Sequence, residues 1–176
     1  MPRAPAGHQD DAGRHARRDN LGVVRASVWW CRMTTVKHVL DQKGHHVHFI
    51  HPDASVFDAL KMMAENNIGS LVVLENGRLV GLIAERHYAR EIVLRGRTSR
   101  GTLVRDIMSK EVICARSDQP VEECMAVMTA KGVRHLPVLE RGRLVGIVSI
   151  GDMVKSVISD QKFIIEQLEH FIQGAR

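Results

Sequence analysis

Leu74-Glu75-Asn76-Gly77-Arg78-Leu79-Val80-Gly81 recurs as Leu139-Glu140-Arg141-Gly142-Arg143-Leu144-Val145-Gly146, with one difference in eight positions. The offset is 65 residues, and sliding the chain by that amount aligns residues 53–90 with 118–155 without a gap. Self-similarity at one fixed period over so long a stretch marks one folding unit used twice.

Outward from the octapeptide, Leu71-Val72-Val73-Leu74 and Leu79-Val80-Gly81-Leu82-Ile83 are apolar runs flanking Asn76-Gly77. That pattern predicts a tight hairpin, because both turn residues accept positive φ. Arg141-Gly142 takes the same place in the second copy. Before each hairpin, Val56, Ala59, Leu60 and Met63, and then Val121, Cys124, Met125 and Met128, fall at i, i+3, i+4 and i+7. This spacing predicts an amphipathic helix with one buried stripe in each copy. Asp53 and Asp118 precede these helices as caps. First strands are expected around Val47 to Ile50 and Val112 to Ala115, and second helices near Arg86 to Leu94 and Asp152 to Ser159.

The expected fold class is therefore α/β (α+β): two β-α-β-β-α units related by pseudo-two-fold symmetry and packed sheet to sheet, plus terminal helices. About 60 residues bury too little surface to be comfortable alone, so the units should pack on each other. Thr35–Leu40 and Leu103–Met108 read as short lead-in helices, one before each unit. The expected boundaries are a disordered extension over 1–32, unit 1 with its lead-in helix over 33–100, unit 2 with its lead-in helix over 101–159, and a C-terminal helix over 160–176. Arg95 to Gly101 reads as an exposed linker. Phe163, Leu168, Phe171 and Ile172 give the last helix an apolar side that points to self-association.

Composition removes several classes of function. The 176 residues are 44% hydrophobic and 26% charged, ordinary for a globular protein. Charged residues interrupt every apolar stretch, so no membrane span is expected. Aromatics are only 4%, which leaves little for stacking on single-stranded nucleic acid. Of the net charge of +5, residues 1–32 supply +3, from six Arg against three Asp, so the folded part is nearly balanced and nucleic-acid binding is not expected. Cys31, Cys114 and Cys124 form neither an even set nor a C-x-x-C pair, which fits a reducing cytoplasm better than a disulfide framework or a thiolate zinc site. Arg17 and Arg18 ahead of Leu21 to Trp30 imitate a targeting signal, but Arg25 breaks the run, and Asp10, Asp11 and Asp19 argue against a transit peptide. Translation from a start upstream of Met33 also accounts for this segment.

The chemistry-bearing stretch is Gly146-Ile147-Val148-Ser149-Ile150-Gly151-Asp152, which runs from a strand into a helix. Ser-x-x-Asp at such a junction is a capping box, in which both side chains satisfy first-turn N–H groups. The same helix start favours an anion, and an acceptor-only carboxylate suits a sugar diol. Both readings are compatible. His45, His46, His48 and His51 are the other conspicuous cluster, read here as a solvated loop and edge strand with no metal assigned. Cys114 and Cys124 read as core residues. There is no nucleophile–base pair, no framed pair of carboxylates and no glycine-rich phosphate loop, so no enzymatic activity is expected.

The gapless duplication, the Gly-Arg-Leu-Val-Gly hairpins, the Gly-Ile-Val-Ser-Ile-Gly-Asp junction and Arg134-His135-Leu136-Pro137-Val138 together resemble tandem cystathionine-β-synthase (CBS) domains, the Bateman module, of the stand-alone bacterial type. The resemblance covers roughly Thr35 to Ser159. It implies a non-catalytic sensor that binds AMP, ADP, ATP, NAD or S-adenosylmethionine in clefts between two units. It also implies a disc-like homodimer that signals to a client protein. On the family pattern Asp152 holds the ribose hydroxyls and Ser149 contacts ribose or phosphate. The backbone of His135, Leu136 and Pro137 reads the adenine edge, the strand Ile113, Cys114 and Ala115 closes the pocket, and Arg134 and Arg86 meet phosphate. In the first unit Ala84 replaces the hydroxyl and His87 the carboxylate. The site they form with Gly69 and Ser70 is therefore expected to be the weaker one. The competing expectation is a dimerising scaffold without a physiological ligand.

Overall fold

The computed structural model describes residues 34–174; the expectations for residues 1–32 and for Cys31 lie outside the described residues. Helix α1 (Val36–Lys43) leads into β1 (Phe49–Ile50), α2 (Val56–Glu65), β2 (Ser70–Glu75), β3 (Arg78–Ala84) and α3 (Glu85–Tyr88), which slackens into a π-helical turn over Ala89–Val93. The second copy runs α4 (Val104–Ile107), β4 (Ala115–Arg116), α5 (Val121–Lys131), β5 (His135–Glu140), β6 (Arg143–Ser149) and α6 (Ile150–Gly174).

The mixed α/β fold contains two three-stranded sheets, ordered β1-β2-β3 and β4-β5-β6. In each, the first pair is parallel and the second antiparallel. Asn76 and Gly77 have φ of 49° and 74°, and Arg141 and Gly142 have 49° and 76°. Left-handed backbone at both central residues is what a two-residue type I′ hairpin requires. The register shift in each hairpin also repeats at the 65-residue period, between Val73 and Leu74 and between Val138 and Leu139.

The lead-in helices are exchanged. Val36, Val39 and Leu40 of α1, which precedes the first copy, are buried with Val121, Cys124, Met128, Leu136, Val148 and Met153 of the second. Val104 and Ile107 of α4 are buried with Val56, Ala59, Met63, Leu71 and Ile83 of the first. Glycine in the third strand of each sheet makes room for this. A Cβ at Gly146 would lie 2.6 Å from Leu40 Cδ2, and one at Gly81 would lie 3.1 Å from the Ser109 carbonyl oxygen. Such close approach is a standard reason for glycine inside a strand.

The stripes of α2 and α5 bury Val56, Ala59 and Met63, and Val121, Cys124 and Met128, as their spacing predicts. The caps differ from expectation. The cap of α2 is Ser55, whose hydroxyl accepts from the Asp58 N–H at 3.1 Å, and α5 starts after Pro120 with no side-chain cap. Asp53 and Asp118 instead pair with Arg105 and Arg116. The exchanged segments supply the missing partners: the Val56 N–H donates to the Thr102 carbonyl and the Val121 N–H to the Thr34 carbonyl, each at 2.9 Å. The first strands are shorter than expected, because β1 and β4 each pair over only two residues. The expected terminal helix is not separate; α6 is continuous from Ile150 to Gly174. No helix among the described residues is long and apolar enough to cross a membrane.

Leu40 is 1% exposed, so Leu40→Ala should cost about 2–5 kcal/mol in urea unfolding. Although Leu40 precedes the first copy in sequence, hydrogen exchange should show amide protection falling first in β5 and β6. Equal loss in β2 and β3 would contradict the exchange.

Candidate functional site

Each strand-to-helix junction is tied to the residue that opens its own hairpin. The Glu85 N–H donates to the Gly69 carbonyl at 3.2 Å, and the Ile150 N–H donates to the Arg134 carbonyl at 2.9 Å. Gly69 and Arg134 are 65 residues apart, as are Glu85 and Ile150, so equivalent corners of the two copies meet around one space. That space is a cavity of about 620 Å³, within the range of small-ligand sites. Leu82, Met128, Val133 and Ile150 give it apolar surface, and Arg86, Arg90, Arg134, His135 and Glu85 give it polar groups.

The electrostatics favour an anion. Arg86 reaches across the repeats and donates to the Gly132 carbonyl at 2.5 Å. No carboxylate within the described residues forms an ion pair with Arg86, Arg90 or Arg134. His135 is held below its ordinary pKa chiefly by burial; Asp152 pulls it back up, and Lys43, Arg86 and Arg134 each add a smaller push down. It is therefore a neutral hydrogen-bonding group near neutral pH.

Asp152 lies outside the cavity lining. Its Oδ2 accepts from the Ser149 N–H at 2.7 Å, the Ser149 hydroxyl at 2.8 Å and Lys43 Nζ at 2.6 Å, while the Asp152 N–H donates to Ser149 Oγ at 3.2 Å. The Ser-x-x-Asp capping box is thus formed, and Lys43, 109 residues away at the end of α1, closes it. Burial pushes the Asp152 carboxyl up, but the bonds from Lys43 and Ser149 outweigh it and hold the group below the usual carboxylate range. In the first copy His87 Nδ1 accepts from the Ala84 N–H at 3.2 Å, the place taken by Asp152 in the second. Burial and Arg86 lower the pKa of His87.

Of the residues expected at two separate sites, the cavity gathers Arg86, Arg134 and His135 from one and Gly69 and Ala84 from the other. Ser149, Asp152, His87 and Ser70 flank the junctions without lining it. Leu136, Pro137 and Ala115 are buried in the second sheet, with Ile113 half-buried against that core and Cys114 partly exposed beside it. Pro137 sits in the central strand, which looks forbidden for a residue without an N–H. The neighbouring β4 reaches only Val138 and Leu139, so Pro137 has a strand on one side alone. His46 and His48 meet edge to face at 4.4 Å, and no group of three metal-ligating side chains occurs among the described residues. Sequence reasoning missed Lys43, Glu85 and Arg90. Glu85 is the 65-residue counterpart of Ile150 and was open to discovery from the repeat; Arg90 reaches the cavity from a π turn that no local pattern announced.

The family model described as the CBS domain matches residues 36–94 and again 104–159. A mitochondrial CBS domain-containing protein of Arabidopsis thaliana, CBSX3, is 37% identical over 150 residues, covering 80% of this chain and 73% of its own. A solved CBS-domain protein from Burkholderia ambifaria is 45% identical with a TM-score of 0.71, covering 73% of this chain and 96% of its own. The CBS domain pair of protein MJ0100, solved with 5′-methylthioadenosine and S-adenosyl-L-methionine, is 26% identical with a TM-score of 0.65, covering 73% of this chain and 99% of its own.

Both ionisable groups make the fold less stable in acid, in different pH windows. Because the folded state lowers the Asp152 pKa, the pair with Lys43 stabilises above the unfolded value of about 3.9, and that stability is lost as pH falls through the lower folded value. Asp152→Asn should therefore lower the urea midpoint at pH 7.5, with the deficit vanishing well below pH 4. Lowering of the His135 pKa costs stability as pH falls below the ordinary 6.5, because only the unfolded chain takes up the proton there. His135→Gln should reduce the acid sensitivity that sets in as pH falls below about 6.5. Parallel midpoint-versus-pH curves for wild type and either variant would contradict these assignments.

Proposed function

The chain belongs to the CBS-domain family, and from that premise we propose that it is a non-catalytic regulatory module. It binds an adenine nucleotide or related adenosine compound between its two repeats and signals to a client by a change of shape. The observation that carries this reading is the cavity of about 620 Å³ with three arginines unpaired by carboxylates over an apolar floor. Arginine forks suit phosphate oxygens, and Leu82, Met128, Val133 and Ile150 offer a face for a flat base. The adenosine ligands of the MJ0100 pair support the ligand class.

Asp152 is the proposed holder of the ribose. Its Oδ2 is taken up by Ser149 and Lys43, so a diol must draw on Oδ1 or displace Lys43. Displacement would connect binding to α1, which is packed in the second core. That route is linkage: a ligand moves the equilibrium only by its difference in affinity for the two arrangements. The closed Ser149–Asp152–Lys43 cluster also favours a second reading, a dimerising scaffold with no ligand.

Calorimetric titration with AMP, ATP, NAD and S-adenosylmethionine separates the two. Arg86→Ala and Arg134→Ala should each weaken the phosphate-bearing ligands about tenfold or more, as expected from charged hydrogen bonds worth about 1.5–3 kcal/mol. They should leave S-adenosylmethionine little changed. Asp152→Ala should weaken all four, and unchanged binding would remove Asp152 from the site. No heat from any of the four at millimolar concentration would leave the scaffold.

A further inference from the structure

Helix α6 outruns the domain that carries it. Its first turns are docked by Met153 and Ser156, both buried, and Asp160 accepts from the Thr34 hydroxyl. From Gln161 to Gln173 every residue is exposed. On this part Ile165, Leu168 and Ile172 recur at alternating three- and four-residue spacing and are 55%, 57% and 66% exposed, with Ile164 and Phe171 widening the stripe on one flank. The pattern is a heptad seam with Ile158, Ile165 and Ile172 at a and Gln161 and Leu168 at d.

We infer that this seam pairs antiparallel with the same segment of a second copy of the chain, about a two-fold axis between residues 166 and 167. Charge decides the direction. In the antiparallel register that sets Ile165 against the partner's Leu168, the e positions bring Lys162 opposite the partner's Glu169, twice by symmetry, and Ile164 faces the partner's Phe171. In a parallel pair each e position faces g, where this helix has Val157, Ile164 and Phe171, and no opposite charges meet. Antiparallel helices also bring opposite ends of their dipoles together. The inference gives the proposed self-association an address and does not depend on nucleotide binding.

Sedimentation velocity on the full chain from about 1 to 100 µM, a range suited to a short seam, tests it. A dimer is expected, and Ile165→Asp with Leu168→Asp should make it monomeric. Those side chains are exposed, so the variant should keep the wild-type circular dichroism spectrum. Lys162→Glu and Glu169→Lys alone should each weaken the dimer about tenfold, because each turns two attractive pairs into repulsive ones. The double reversal should recover affinity to within about threefold. A monomeric wild type, a dimer indifferent to the Asp pair, or a double reversal no better than the singles would overturn the inference. Nucleotide titration of the monomeric variant shows separately whether the cavity works.

Discussion

The fold depends on a close contact between a strand without a side chain and a helix that begins elsewhere. Leu40 Cδ2 comes within 2.6 Å of where a Cβ at Gly146 would stand, and Met108 and the Ser109 backbone crowd Gly81 in the same way. A small sheet with two helices leaves one sheet face short of cover, and each copy obtains that cover from the segment preceding the other. Neither copy is then an independent body. The partner segment also supplies the carbonyls that receive the first N–H groups of α2 and α5. Burial and hydrogen-bond satisfaction enforce the same exchange, which makes the arrangement cooperative rather than merely adjacent.

The repeat, hairpins and helix stripes were legible because each is a local pattern with one physical solution. Asn76-Gly77 and Arg141-Gly142 form the same turn even though one carries Asn and the other Arg, since glycine and the flanking strands settle the geometry. The exchange was not legible. Thr35 aligns with Leu103 and Ser55 with Pro120 in the β-bridges, offsets of 68 and 65, so the lead-in segment and the unit slip by three residues between copies. No pattern inside either segment says which core it joins. The caps were misplaced by two residues for a related reason. Asp53 and Asp118 look like caps until Arg105 and Arg116 claim them, and Ser55, whose hydroxyl accepts from the Asp58 N–H and donates to the Asp58 carboxylate, takes the cap expected at Asp53.

The functional residues divide along the same line. Arg86, Arg134 and His135 were identifiable by type and position, and the cavity contains all three. Asp152 was identifiable as a carboxylate at a helix start, and its role in the capping box was equally readable. The sequence could not show Lys43 arriving from 109 residues away to compete for the same oxygen. Nor could a period of 65 show that Arg86 and Arg134 of one expected site and Gly69 and Ala84 of the other border one space. That follows from the junctions Gly69–Glu85 and Arg134–Ile150 being brought together.

These pieces meet on α6. Its first turn carries Asp152, held by the last residue of α1; its middle carries Asp160, held by Thr34 just ahead of α1; its far end carries the exposed apolar seam. The acids thus clasp α1 near both ends, and α1 is also the helix that completes the second core. A group that displaced Lys43 would remove one clasp and leave Thr34, the buried Val36, Val39 and Leu40, and the Val36 and Lys37 N–H bonds to the Gln119 and Ser117 carbonyls as constraints on α1. Any resulting change would be a tilt about the Thr34 end rather than a release, because extracting Leu40 would open a core cavity worth several kcal/mol. Since α6 is the other party to both clasps, such a tilt has a mechanical path to the far end of that helix without a long chain of side-chain relays. The energy available is bounded by the Lys43–Asp152 pair. With side chains 31% and 20% exposed, the pair is partly screened and suits a modest shift in population rather than an all-or-none switch.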